Sequence, residues 1–149
     1  VDPYQLVEAR AVGADAVLLI ATALEPGQLS ELHAAATELG LSCLVEVYSE
    51  SDLEKIDWDQ VSILGVNNRD LTTFEVDIEN SLRIFENVPR DVGRVAESGL
   101  SDPDTLVRLR EAGINGVLIG EHFMRAENPG EGLDDLRARA KQIALERAS

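Results

Sequence analysis

The chain has 149 residues, 44% of them hydrophobic, enough for one globular domain with its own core. Twenty-eight acids against 13 bases give a formal net charge of −15, which argues against a nucleic-acid or anionic-membrane surface, since either needs a basic patch. No apolar run reaches the ~18 residues of a membrane span and no signal-peptide pattern opens the chain, so the expected location is the cytoplasm.

The predicted elements alternate helix and strand. A helix over 3–12 is followed by a strand over 15–20, with Gly13 between them. A helix over 26–39, opened by Pro26 and closed by Gly40, leads to a strand over 43–48. Ser49 suits the cap of a helix over 50–56, and Trp58 reads as a packing plug before a strand over 61–66. Next come a helix over 79–87, a strand over 93–97 and a helix over 102–112. Ser101 suits the cap of that helix, Pro103 its first turn and Gly113 its end. The last strand spans 116–120, a short helical turn lies near 121–125, and a helix over 131–147 follows Asn128 and Pro129.

Gly13, Gly40 and Gly113 each sit where a helix ends on a left-handed residue. The apolar runs after them are short and continuous, as expected of a parallel sheet covered on both faces. Five strands alternating with six helices leave two architectures, an open doubly wound sheet or part of an eight-stranded barrel. Periodicity does not choose between them. Tyr4 and Phe123 read as helix-to-sheet packing, Met124 as core filler and His33 as a surface residue.

The lone Cys43 excludes an internal disulfide and reads as a small buried hydrophobe. Lys55 and Lys141 are the only lysines, so 13 − 2 = 11 of the bases are arginine. Acid excess with scarce lysine predicts a salt-adapted surface, whose stability should rise between dilute buffer and molar KCl; a flat response would remove that reading. The first residue is Val1 rather than Met, and the chain reads as a processed piece or part of something longer.

Polar residues gather at the strand ends. Glu46 lies within a strand, where an unpaired carboxylate costs several kcal/mol or gives up its charge. It is either functional or the partner of an arginine on a neighbouring strand. Asn67, Asn68, Arg69 and Asp70 follow the third strand, either as a working loop or as a solvated ion pair. Glu97, Ser98 and Gly99 end the fourth, where a Glu97–Arg69 pair is a structural alternative. Gly120, Glu121 and His122 end the fifth. In parallel α/β folds these ends share one edge, where sites form. Gly99 and Gly120 precede helix starts, so free N–H groups there suit an anion, and a short helix after the last strand is part of a recurrent phosphate cup. No Cys/His cluster has metal-ligand spacing, and no Ser-His-Asp pattern or Walker loop is present.

Together, "DPYQLVEARAVGADAVLLIA", "LVEVYSESDLEK", "GVNNRDLTTFEVD", "VAESGL" and "GVLIGEHFMRAENPG" resemble the indole-3-glycerol phosphate synthases of tryptophan biosynthesis over Asp2–Gly130. The resemblance implies a (βα)8 barrel, of which this chain would hold strands four to eight led by the third helix. It implies a lyase that closes the indole ring of carboxyphenylamino-deoxyribulose phosphate, with loss of CO2 and water and no cofactor. By this resemblance Glu46 falls on the general base, Asn67 on the asparagine that helps hold the substrate, Arg69 on the arginine just beyond it and Glu97 on the strand-seven pair with Ser98. These four, Glu46, Asn67, Arg69 and Glu97, are the expected catalytic residues. Ser98, Gly99, Ile119, Gly120 and Glu121 fall in the phosphate cup, while His122 departs from the small residue often found there.

The family's general acid, a lysine on strand three, and its lysine and glutamate on strand one would lie outside this chain. Lys55 and Lys141 are on predicted helices with no expected route to the strand-end edge. No turnover is therefore expected from the 149 residues alone. The expected partners are a small phosphorylated substrate and either the complementary N-terminal part of the barrel or a second copy. A phosphate-ester-binding half-barrel without catalysis, or a piece that only folds and assembles, is the alternative.

Overall fold

Residues 1–148 are described by the computed structural model. The strands β1 (Ala16–Ile20), β2 (Ser42–Val47), β3 (Ile63–Asn67), β4 (Gly93–Glu97) and β5 (Gly116–Leu118) form one parallel sheet in sequence order. A doubly wound sheet reverses its strand order at a switch point. This one never reverses, so the chain is an open arc of a (βα)8-type barrel. Its helices are α1 (Pro3–Ala11), α2 (Pro26–Glu38), α3 (Glu50–Leu53), α4 (Glu79–Phe85), α5 (Pro103–Glu111), α6 (Glu121–Met124) and α7 (Pro129–Arg147).

The helix-to-strand junction repeats in detail. After α2, the Gly40 N–H donates to the Thr37 carbonyl and the Leu41 N–H to the Ala36 carbonyl, both at 2.9 Å. Gly13 (φ 90°), Gly40 (φ 72°) and Gly113 (φ 83°) all adopt the left-handed conformation these closures require. Helix starts follow local chemistry. Asp2 and Gln5 form a capping box at α1, and Asn128 caps α7. The α5 cap is Asp102, not the expected Ser101, because the cap must directly precede Pro103 at the first helical position. Its Oδ2 accepts from the Thr105 N–H and hydroxyl, each at 2.9 Å, and these bonds hold its carboxyl below the usual range.

Register carries the alternation of each strand across the sheet, so the two faces can be read residue by residue. Val45 and Val47, Leu64 and Val66, and Ala96 point outward, and none has exposed surface. They pack beneath the helices with Leu29, Leu32, Ile84 and Phe85. Leu18, Ile63 and Leu118 point inward and remain 42%, 37% and 50% exposed. Coverage of both faces, expected from the apolar runs, is thus corrected: helices cover the outer face only. An inner face of this composition is what a closed barrel fills with side chains from facing strands.

Other expectations also shift. The helix expected over 50–56 is the single turn α3, and β5 stops at Leu118, leaving Ile119 and Gly120 in the turn after it. Tyr4 and Met124 are 68% and 79% exposed rather than packed, whereas Trp58 does pack against the core. His33 is half-buried, which lowers its pKa. No helix among the described residues is long and apolar enough to cross a membrane.

Buried polar side chains clasp successive strand ends together. Asp52 (4% exposed) accepts from the Thr22 hydroxyl at 2.8 Å and the Tyr48 N–H at 3.1 Å, joining the ends of β1 and β2. Asn80 donates to the carbonyls of Tyr48 (2.8 Å) and Asn67 (3.0 Å), joining β2 to β3. Asn68 joins β3 to β4 by donating to the Ser98 carbonyl at 3.2 Å. Lys55 belongs to this layer too. Its ammonium reaches the Ala21 and Leu24 carbonyls at 2.8 and 3.3 Å, so it does approach the strand-end edge, contrary to expectation, but on the helix side.

Candidate active site

Along the inner face, Ile20, Glu46, Gly65 and Val95 stand in one row, and Asn67, Glu97 and Leu118 in the row above. The Asn67 amide is oriented from behind: its Oδ1 accepts from the Arg69 N–H at 2.9 Å, which turns Nδ2 to the Glu46 carboxyl at 3.1 Å. Glu97 leans back from its own row. Its Oε1 occupies the space a side chain at position 65 would fill, so the glycine is a slot that brings the Glu97 carboxyl beside Glu46. Glu46 and Glu97 are only 6% and 3% exposed.

Glu97 Oε1 is a buried side-chain oxygen without a hydrogen-bond partner among the described residues. Burial, then the neighbouring Glu46 charge and a hydrogen bond to Glu46, push the Glu97 carboxyl up to about 8. At neutral pH Glu97 therefore holds a proton and can donate it to Glu46. The pair is a proton donor and a proton acceptor in contact, with one proton to move.

Beyond Glu97 the backbone turns through two left-handed residues, Ser98 (φ 66°) and Gly99 (φ 71°). A side chain on Gly99 would collide with Val76 Cγ1 and meet Ile78 Cδ1 at 3.2 Å, so glycine is required there by the packing of the β3–α4 loop. Gly120, the N-cap of α6, has open space where its side chain would be. Across the mouth, Arg69 pairs with Glu121 at 2.7 Å, and Arg125 binds the other Glu121 oxygen at 2.8 Å. Among the described residues the alternative Glu97–Arg69 pair does not form, and no arginine pairs with Glu46.

Glu46, Asn67, Arg69, Glu97, Ser98, Gly99, Ile119, Gly120 and Glu121 all line one cavity of about 790 Å3, together with His122. Among the described residues no group of three or more His, Cys, Asp or Glu side chains could hold a metal ion. An acid–base pair at the floor, two turns with backbone donors on one wall and two arginines at the rim suit an anionic substrate that must gain and lose protons.

The family model for indole-3-glycerol phosphate synthase matches residues 1–136. The chain belongs to that family. The synthase of Salinibacter ruber is 80% identical over 99% of this chain and 55% of its own length, and that of Bacteroides thetaiotaomicron 49% identical over 91% and 52%. The chain spans about half the length of the curated synthases it matches. Two solved structures share the fold alone. A thiamine phosphate pyrophosphorylase from Pyrococcus furiosus aligns with TM-score 0.68 at 22% identity, over 93% of this chain and 65% of its own. A chain of the tryptophan synthase complex from a hyperthermophile, Pyrococcus furiosus, gives 0.65 at 19%, over 97% and 60%.

Sequence reasoning missed Gly65 at this candidate site, and it named Asn68 with the strand-end loop without separating its role from that of Asn67. Gly65 interrupts an apolar strand, and a glycine there is itself a sign of close approach by another group. Asn68 was legible only through parity: adjacent residues on a strand face opposite ways, so Asn67 and Asn68 cannot share a role.

Proposed function

We propose that this chain carries the base and the phosphate-binding wall of an indole-3-glycerol phosphate synthase site, acting on carboxyphenylamino-deoxyribulose phosphate. The observation that carries the reading is the Glu46–Glu97 pair over Gly65, opening onto the same cavity as the Ser98–Gly99 and Gly120 turns. Ring closure pushes electrons onto a carbonyl, whose oxygen must leave as water, and rearomatisation then needs a base. Glu46 takes that last proton, with the Asn67 amide orienting it. Neutral Glu97 beside it supplies a hydrogen bond in the ground state and a relay for the proton afterwards. The ester phosphate sits against the Gly99 and Gly120 backbone, and Arg69 exchanges Glu121 for the substrate carboxylate.

Among the described residues no lysine lines this cavity, and in this reading Glu97 serves Glu46 while the acid that expels water is the strand-three lysine of the family, which this chain does not hold. Turnover should be absent from the chain alone and should appear when it is joined to the preceding part of a relative. Glu46→Gln in the joined protein should lower kcat by about 10²–10⁴. Full turnover by the 149 residues alone would overturn the assignment of the acid.

A second reading, phosphate-ester binding without chemistry, is favoured by the turns and arginines standing in place without further strands. It predicts amide shifts at Ser98, Gly99 and Gly120 on adding a sugar phosphate to the chain alone, with no turnover in the joined protein.

A further inference from the structure

Asn68 has no exposed surface and faces away from the cavity, yet it holds the turn that delivers Glu97. Its Oδ1 accepts from the Ser81 hydroxyl at 2.7 Å and the Ser81 N–H at 3.1 Å, which anchors it to the start of α4. From that anchor it grips two successive carbonyls of the turn. The Asn68 backbone N–H donates to the Glu97 carbonyl at 2.8 Å, and Nδ2 donates to the Ser98 carbonyl at 3.2 Å. Its own carbonyl accepts from the Asp77 N–H at 2.8 Å, so every polar group of the residue is engaged.

What it grips is an unfavourable conformation. Among the described residues Ser98 is one of two non-glycine residues with positive φ, the other being Phe74. A serine in the left-handed region persists only where surrounding contacts over-determine it. Were Ser98 to relax, the peptide after Glu97 would rotate, and the carboxyl would leave the slot above Gly65 for water. Glu46 is the charged group that faces the carboxyl in that slot.

We propose that Asn68 is a positioning residue, a clasp that holds Ser98 left-handed and thereby seats the Glu97 carboxyl against Glu46. The functional weight of this clasp rests on the reading of Glu97 as part of the active site, whereas its geometry does not. It differs from the other clasps because it alone acts on a strained residue adjoining a candidate catalytic side chain.

The test is the titration of Glu97, followed in the 149-residue chain by carboxyl NMR and assigned by loss of the signal in Glu97→Gln. Asn68→Ala should lower the midpoint from about 8 by about one pH unit or more, as the carboxyl swings into water. Adding Ser98→Gly should return it towards the starting value, because glycine takes positive φ without a clasp. Ser81→Ala, which removes one donor to Oδ1, should give a smaller drop. If Asn68→Ala does not fold, Asn68→Asp, which keeps an acceptor for Ser81 and loses the donor to Ser98, takes its place with the same expected drop and rescue. An unmoved midpoint overturns the proposal, as does a double variant that stays at the single variant's value. Turnover of Glu97→Gln in the joined protein is read separately. Full turnover there would remove the catalytic reading of Glu97 and leave the clasp standing.

Discussion

Val45 and Glu46 are neighbours on β2 and live in different surroundings. Val45 points outward among Leu64, Val66 and Ala96, all without exposed surface beneath the helices. Glu46 points inward, onto a face where Leu18 and Leu118 are about half bare and only the carboxyl end is closed by polar contacts. The outer face has one requirement, dense apolar packing, and each side chain there contributes to stability. The inner face tolerates exposed leucines and concentrates its order in Glu46, Asn67 and Glu97. Core packing and the candidate site are thus divided between alternate residues of the same strands.

The division can be tested directly. Leu64→Ala should have the largest effect on folding, costing about 2–5 kcal/mol in urea denaturation, because it empties space beneath the helices. Gly65→Ala, one residue on and facing inward, should cost about 1–3 kcal/mol, since the new methyl meets Glu97 Oε1. A cost near zero would mean that the carboxyl has room to move and that the slot is not a constraint.

Glu97 tests the sign of the inner-face electrostatics. Its folded pKa of about 8 lies above the ordinary 4.5, so the folded chain keeps a proton that the unfolded chain releases. That contribution to stability is complete below 4.5 and is lost as pH rises towards 8. Glu97→Gln cannot lose the proton, so the decline in urea midpoint across this window should shrink in that variant. Equal declines in both proteins would contradict the buried pair. The smallest effect belongs to Leu18→Ala, within about 0.5 kcal/mol, as expected of a half-exposed side chain on the uncovered face. A loss as large as that of Leu64→Ala would mean that the inner face is covered in solution.

Local signals made most of the fold legible. The left-handed Gly13, Gly40 and Gly113, and the prolines opening α2, α5 and α7, act through their own backbone and need no tertiary information. The candidate site was legible as a set, since parallel strands bring their ends to one edge whatever the register. What stayed hidden depends on three-dimensional neighbours. Arg69 finds Glu121 rather than Glu97, across 52 residues of sequence. Lys55 reaches a loop 31 to 34 residues away. Tyr4 and Met124 look like core residues by type, yet both lie largely exposed on the surface. The exchange of Ser101 for Asp102 as a cap is a one-residue ambiguity that only the phase of the helix resolves.

The clasps at the strand ends have a consequence for how such a barrel can be inherited. Asp52, Asn80 and Asn68 each bridge adjacent units, so alignment is passed from neighbour to neighbour, as in a repeat array. A crossover between two genes placed ahead of β1 severs none of these bridges. A recombined barrel could therefore receive this stretch as a preassembled cassette, with Glu46 and Glu97 already side by side.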